Sequence, residues 1–113
     1  MYQFSIELTA ALLANVDFAA VMGERLSPVV SAEDEVYPFA NYLVKEEPGL
    51  SKDEDSLSAT LLFYFTKESY MKLVQFMDQI KPFIKENYDW LGSDIEFVES
   101  DQSFVGIINF NKI

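Results

Sequence analysis

The chain has 113 residues, half of them hydrophobic, and its 19 acidic and 8 basic side chains give a formal net charge of −11. It contains neither cysteine nor histidine, which excludes disulfides, thiolate nucleophiles, Cys/His zinc sites, haem ligation by those residues, Ser-His-Asp chemistry and histidine pH switching. An acidic surface disfavours direct contact with nucleic acid or an anionic membrane, both of which attract Lys and Arg, and favours a basic protein partner.

Ten Phe, six Tyr and one Trp are enough to fill one core, so a single domain over residues 1–113 is expected. The start, MYQFSIELTAALL, has no basic leader region, and no apolar run approaches the roughly 18 residues of a membrane span. The chain therefore reads as a soluble, cytoplasmic protein without membrane contact.

Tyr2, Phe4, Ile6 and Leu8 alternate with polar neighbours and predict a first strand. Ala-rich sequence follows to Leu26 and predicts helix from about Asp17 as N-cap, with Phe18, Val21 and Met22 inward, ending near Gly23. Met22-Gly23-Glu24-Arg25 holds the only arginine, expected in a surface ion pair rather than on a ligand. Ser31 and Asp34 resemble a capping box, and Phe39, Tyr42 and Leu43 recur at helical spacing, so a short helix is expected over 38–47. Pro48-Gly49 ends it, and 48–56 is a loop.

Leu57 to Thr66 is dense in apolar residues. Leu57, Ala59, Leu61, Phe63 and Phe65 line one face, with Leu62 and Tyr64 on the other, which predicts a central strand. Thr66 is placed to cap the next helix, in which Tyr70, Leu73, Val74, Met77, Ile80, Ile84 and Tyr88 trace one face; Pro82 is expected to bend or restart it. Trp90-Leu91-Gly92 is expected to close that helix. Ile95 and Phe97, then Phe104, Ile108 and Phe110, predict an antiparallel hairpin turning at Glu99 to Gln102, with Gly106 a bulge or a point of close packing.

The expected fold is α+β: a two-layer sandwich with about four strands packed on helices, in the order β-α-α-β-α-β-β. Tyr2, Phe4, Phe63, Phe65, Phe97, Phe104 and Phe110 are the expected core.

The stretch KEEPGLSKDEDSL (45–57) puts Glu46, Glu47, Asp53, Glu54 and Asp55 close together. Counted from Asp53, an EF-hand loop would need an oxygen ligand where Leu57 stands, glycine at Ser58 and glutamate at Tyr64, so the calcium pattern fails. No metal, cofactor or catalytic residue is expected, since the chain lacks a nucleophile elbow, a phosphate loop and a dinucleotide fingerprint. The acids are read either as a solubilising surface or as a polyanionic docking surface. In the second case Glu33, Asp34, Glu35, Glu46, Glu47, Asp53, Glu54 and Asp55 are the contacts, with Tyr37 and Trp90 as exposed aromatic anchors. Asp94 and Glu96 are expected on the outward face together with Glu7.

In architecture, a small acidic α/β domain with outward acids resembles barstar-type nuclease inhibitors and, more loosely, bacterial immunity proteins and phage-encoded DNA mimics; no motif carries the resemblance. It implies a non-enzymatic inhibitor that blocks a basic toxin, nuclease or nucleic-acid-binding protein. Two alternatives stand beside it. One is a regulatory domain with a small-molecule pocket near Trp90 and Gly106. The other is a self-associating structural protein, in which Leu57 to Thr66 meets a second copy in a homodimer.

Overall fold

The computed structural model describes residues 1–28, 36–48 and 56–113. Two helices, α1 (Tyr2–Ala14) and α2 (Val16–Met22), precede three strands, β1 (Leu26–Pro28), β2 (Phe39–Glu47) and β3 (Ser56–Thr66). After a 3-10 turn at Lys67–Ser69, α3 (Tyr70–Asn87) leads into the hairpin of β4 (Tyr88–Val98) and β5 (Ser103–Lys112). The five strands form one mixed sheet in the order β1-β2-β3-β5-β4, with β1 parallel to β2 and every other pair antiparallel.

The α+β class holds, but the sheet has five strands rather than about four, and two elements change type. Tyr2 to Leu8 is the first half of α1. Phe4, Leu8 and Leu12, spaced by four, are buried on one helical stripe, while Tyr2 is 80% and Ile6 42% exposed. The alternation is compatible with either period over so short a stretch, and the Ala- and Leu-rich continuation extends the helix through it. An extended backbone breaks the helix at Asn15, whose side chain accepts a 3.0 Å hydrogen bond from the Phe18 N–H. Asn15, not Asp17, is thus the N-cap of α2; Asp17 sits in its first turn.

The segment 39–47 is strand β2, not a helix. It pairs residue for residue with β3 from Phe39↔Tyr64 to Glu47↔Ser56. Ala40, Tyr42 and Val44 face the helices with a period of two, and nine paired residues override the helical spacing of Phe39, Tyr42 and Leu43. The expected capping residues Ser31 and Asp34 lie outside the described residues.

Strand β3 is central, with β2 on one edge and β5 on the other. Its Ala59, Leu61, Phe63 and Phe65 are buried beneath the helices. The core centres on Phe63, whose ring meets Phe76 of α3 edge-on at 4.9 Å; Phe18 lies 6.1 Å from Phe76 and 6.4 Å from Phe63. Edge-to-face pairs of this kind add about 0.5–1.5 kcal/mol to simple burial. A second cluster joins Tyr88 to Phe110 at 4.6 Å and to Phe4 at 6.0 Å.

Helix α3 buries Leu73, Phe76, Met77, Ile80 and Ile84 and runs on through Pro82 to Asn87. It packs on β5 where Gly106 lies: a Cβ there would stand 2.5 Å from Met77 Sδ and 2.8 Å from Leu73 Cδ1. Gly106 is thus the expected point of close packing. The bulge is instead in β4, between Trp90 and Gly92, where Gly92 has a φ of 152° that L side chains rarely adopt. Trp90-Leu91-Gly92 is therefore part of a strand rather than a helix end. Phe97, expected in the core, is 44% exposed near the end of this edge strand.

Candidate functional site

All three helices lie on one face of the sheet, the face carrying Ala40, Leu61, Phe63 and Ile108. The strand registers build the opposite face row by row. Phe39, Tyr64, Val105 and Glu96 form the first row across β2, β3, β5 and β4; Asn41, Leu62, Ile107 and Asp94 form the second. Leu43, Thr60, Asn109 and Gly92 follow, then Lys45, Ser58, Asn111 and Asp89.

This outer face is divided by chemistry. One end is apolar and aromatic: the Phe39 and Tyr64 rings stack at 4.8 Å with 11° between their planes, and Tyr37 lies 5.1 Å from Phe39. Leu62 and Ile107 are half-buried and Leu43 is 51% exposed. The other end is polar, with Thr60 donating to Asn109 Oδ1 at 2.7 Å. Along β4 the face ends in the acids Asp89, Asp94 and Glu96. Neither of the two ion pairs among the described residues involves them.

The electrostatics follow from this layout. The Tyr64 hydroxyl is pushed above its ordinary pKa first by burial, then by the charge of Asp101 and by Tyr37. The same is true of Tyr88 on the helix face, through burial and then Glu7. The outer face thus runs from an apolar end to a polar end, with acids along its β4 border that form no ion pair among the described residues.

The sequence-predicted site residues are placed unevenly. Glu33, Asp34, Glu35, Asp53, Glu54 and Asp55 lie outside the described residues. Tyr37 is at the apolar end of the outer face. Glu46 and Glu47 are adjacent in β2 and so point to opposite faces. Glu46 is 3.7 Å from the α-amino nitrogen of Met1, and Glu47 is 2.6 Å from Lys45 Nζ, so each has a cation of its own.

Trp90 is half-buried on the helix face. Lys81 Nζ is 4.3 Å and Lys85 Nζ 5.8 Å from the ring, and its Nε1–H donates to Ser93 Oγ at 3.1 Å across the bulge. Trp90 thus lies beneath a cationic cover on the side of the sheet opposite the acidic outer face. Glu7 does not join Asp94 and Glu96 either, because it belongs to α1.

Arg25 makes no ion pair with a described residue. Its guanidinium donates to the backbone carbonyls of Pro38 at 2.7 Å and Val21 at 3.0 Å, tying the end of α2 to the entrance of β2. Directly above Gly106 the space is occupied by Leu73 and Met77. Among the described residues no group of three or more acidic side chains is arranged to hold a metal ion, and no single helix is long and apolar enough to cross a membrane.

The outer-face residues not singled out from sequence as contacts are Phe39, Leu62, Tyr64, Val105 and Ile107, of which Phe39 and Val105 are buried and the other three half-buried. The signal was present in the two-sided apolar pattern of β3 and in the adjacent pair Ile107-Ile108, which must put one isoleucine on each face.

No protein-family description matches the sequence, and no curated protein does. The fold does have a solved counterpart. A chain in the virion of a native gene transfer agent (GTA) particle superposes with a TM-score of 0.69 at 10% identity, over 91% of this chain and 87% of that one, so the two share a fold.

Proposed function

We propose that this protein is a non-enzymatic, protein-binding subunit of a multi-chain assembly, and that it docks through the outer face of its sheet onto a partner with an apolar centre and a basic rim. The observation that carries this reading is the division of that face: the Phe39–Tyr64 stack with Leu62 and Ile107 at one end, and Asp89, Asp94 and Glu96 along β4. The fold shared with a virion chain supports assembly as the setting. The inhibitor role rests on charge alone, whereas the subunit role has both the surface and the fold in its favour. Glu33 to Glu35 and Asp53 to Asp55 remain candidate contacts on their charge.

Because both edges of β3 are occupied, a partner meets its side chains rather than its backbone. Capture of the tagged chain from its host tests the reading, with wild type compared against a Leu62→Glu, Ile107→Glu variant whose folding is verified by circular dichroism. A recurrent protein partner released by raised salt and missing from the variant is the expected result. Retention of the same partners by the folded variant refutes it.

A further inference from the structure

Helix α1 is apolar on two sides. Phe4, Leu8 and Leu12 form the stripe buried in the core. Tyr2, Ile6, Thr9 and Leu13 form a second stripe, on which Tyr2 is 80% and Ile6 and Leu13 are each 42% exposed. At 3.6 residues per turn these four fall within about 60° of one another round the helix.

The second stripe carries no charge. The Thr9 hydroxyl donates back to the carbonyls of Ser5 at 2.9 Å and Ile6 at 3.1 Å, so its polar atom is satisfied within the helix. Glu7 is the only charged residue of α1. It stands about 100° or more round the helix from each member of the stripe, and it accepts a hydrogen bond from Gln3 at 3.2 Å. On a chain of net charge −11, this is a surface on which two copies can meet without bringing acids together.

The spacing says which partner fits. The steps from Tyr2 to Ile6, Thr9 and Leu13 are four, three and four residues, and they read the same in both directions. Two such helices laid antiparallel about a two-fold axis between Ile6 and Thr9 place Tyr2 opposite Leu13 of the second copy and Ile6 opposite its Thr9.

We propose that α1 is a self-association surface, along which two copies pair antiparallel through Tyr2, Ile6, Thr9 and Leu13. The surface belongs to the helix layer, so it is separate from the outer face of the sheet and does not rest on docking there. A membrane is a poorer occupant. The opposite stripe of α1 is already buried in the core, and no Lys or Arg precedes Arg25, whereas helices that lie on membranes carry cations on their polar side. The stripe is about 17 Å long and one helix wide, so it buries well under the ~800 Å² per partner of a standard interface. The dimer is accordingly weak, with a Kd on the order of 100 µM.

Sedimentation equilibrium of the full chain from about 5 to about 500 µM spans that Kd. The average mass is expected to rise from one copy towards two. The apparent Kd should tighten at least about twofold from about 50 to about 500 mM salt, as repulsion between like-charged copies is screened. Ile6→Glu with Leu13→Glu, its folding verified by circular dichroism, should stay monomeric throughout. Leu62→Glu with Ile107→Glu adds the same charge on the outer face and should dimerise like wild type. Because the chain has no cysteine, single substitutions report the register: a short bismaleimide should join Tyr2→Cys chains to Leu13→Cys chains several-fold faster than it joins either to itself. A single-copy mass at every concentration overturns the proposal. So does dimerisation retained by the folded Ile6→Glu, Leu13→Glu variant, or preferential joining of Tyr2→Cys chains to one another. Flotation of a monomeric wild type with phosphatidylcholine vesicles, lost in the Ile6→Glu, Leu13→Glu variant, assigns the stripe to a membrane and overturns it as well.

Discussion

Gly106→Ala isolates the contact between α3 and the sheet. The new methyl would meet Met77 Sδ at 2.5 Å and Leu73 Cδ1 at 2.8 Å, both closer than carbon normally comes. Met77 is flexible and borders a groove between α3 and β4, so it can swing aside. Leu73 is fully buried and has nowhere to go. Overpacking of this kind costs about 1–3 kcal/mol. Replacing a strand glycine by alanine returns about 0.5–1 kcal/mol through the unfolded chain. The net loss then lies between 0 and about 2.5 kcal/mol, with a midpoint near 1 kcal/mol that corresponds to roughly 4 °C in Tm for a domain of this size. Urea unfolding of the single variant, and of Gly106→Ala combined with Met77→Ala, measures it. The combination should lose less than the sum of the two single effects, since removing the thioether makes room for the methyl. Gly106→Ala at or above wild-type stability, or strict additivity with Met77→Ala, would refute the reasoning.

Two further outcomes are expected from local features. Asn15→Ala removes the acceptor of the Phe18 N–H and should lower stability by about 1 kcal/mol, whereas Asp17→Ala, lacking that role, should cost distinctly less in the same urea titration. Tyr64 and Tyr88 both have hydroxyl pKa values raised above 10.0, chiefly by burial. The folded state therefore holds those protons to higher pH than the unfolded state. The resulting stability is complete below about pH 10 and is lost as pH climbs through the folded-state values. Unfolding midpoints at pH 9 and 11 should differ more for wild type than for Tyr64→Phe with Tyr88→Phe; an equal drop would show that other groups govern alkaline unfolding.

The strand Leu57 to Thr66 and the amphipathic α3 were legible because each carries its own period over ten residues or more; of the C-terminal hairpin the alternation of Ile95 with Phe97 and of Ile108 with Phe110 was legible, but not the start of β4 at Tyr88. Gly106 could be marked because a glycine among strand residues signals either a bulge or a close neighbour; only the position of α3 shows that Leu73 and Met77 are the neighbours. The outer face was half legible: Leu62 and Tyr64 marked the second side of β3, but nothing local joined them to Phe39, Val105 and Ile107, which lie 23 to 45 positions away in sequence. Register across three strands makes that connection.

Composition by itself determined which chemistry is closed to this chain, since no folding creates a thiol or an imidazole from residues it lacks. Tertiary structure decided the identity of the two ambiguous segments. Tyr2 to Leu8 has apolar residues compatible with both periods, and it is helical because Phe4, Leu8 and Leu12 together fill the space above the sheet. Phe39 to Glu47 is extended because β3 offers it nine paired residues. In both, local preferences were close to balanced, and the energy of a distant partner, which no short window of sequence contains, set the outcome.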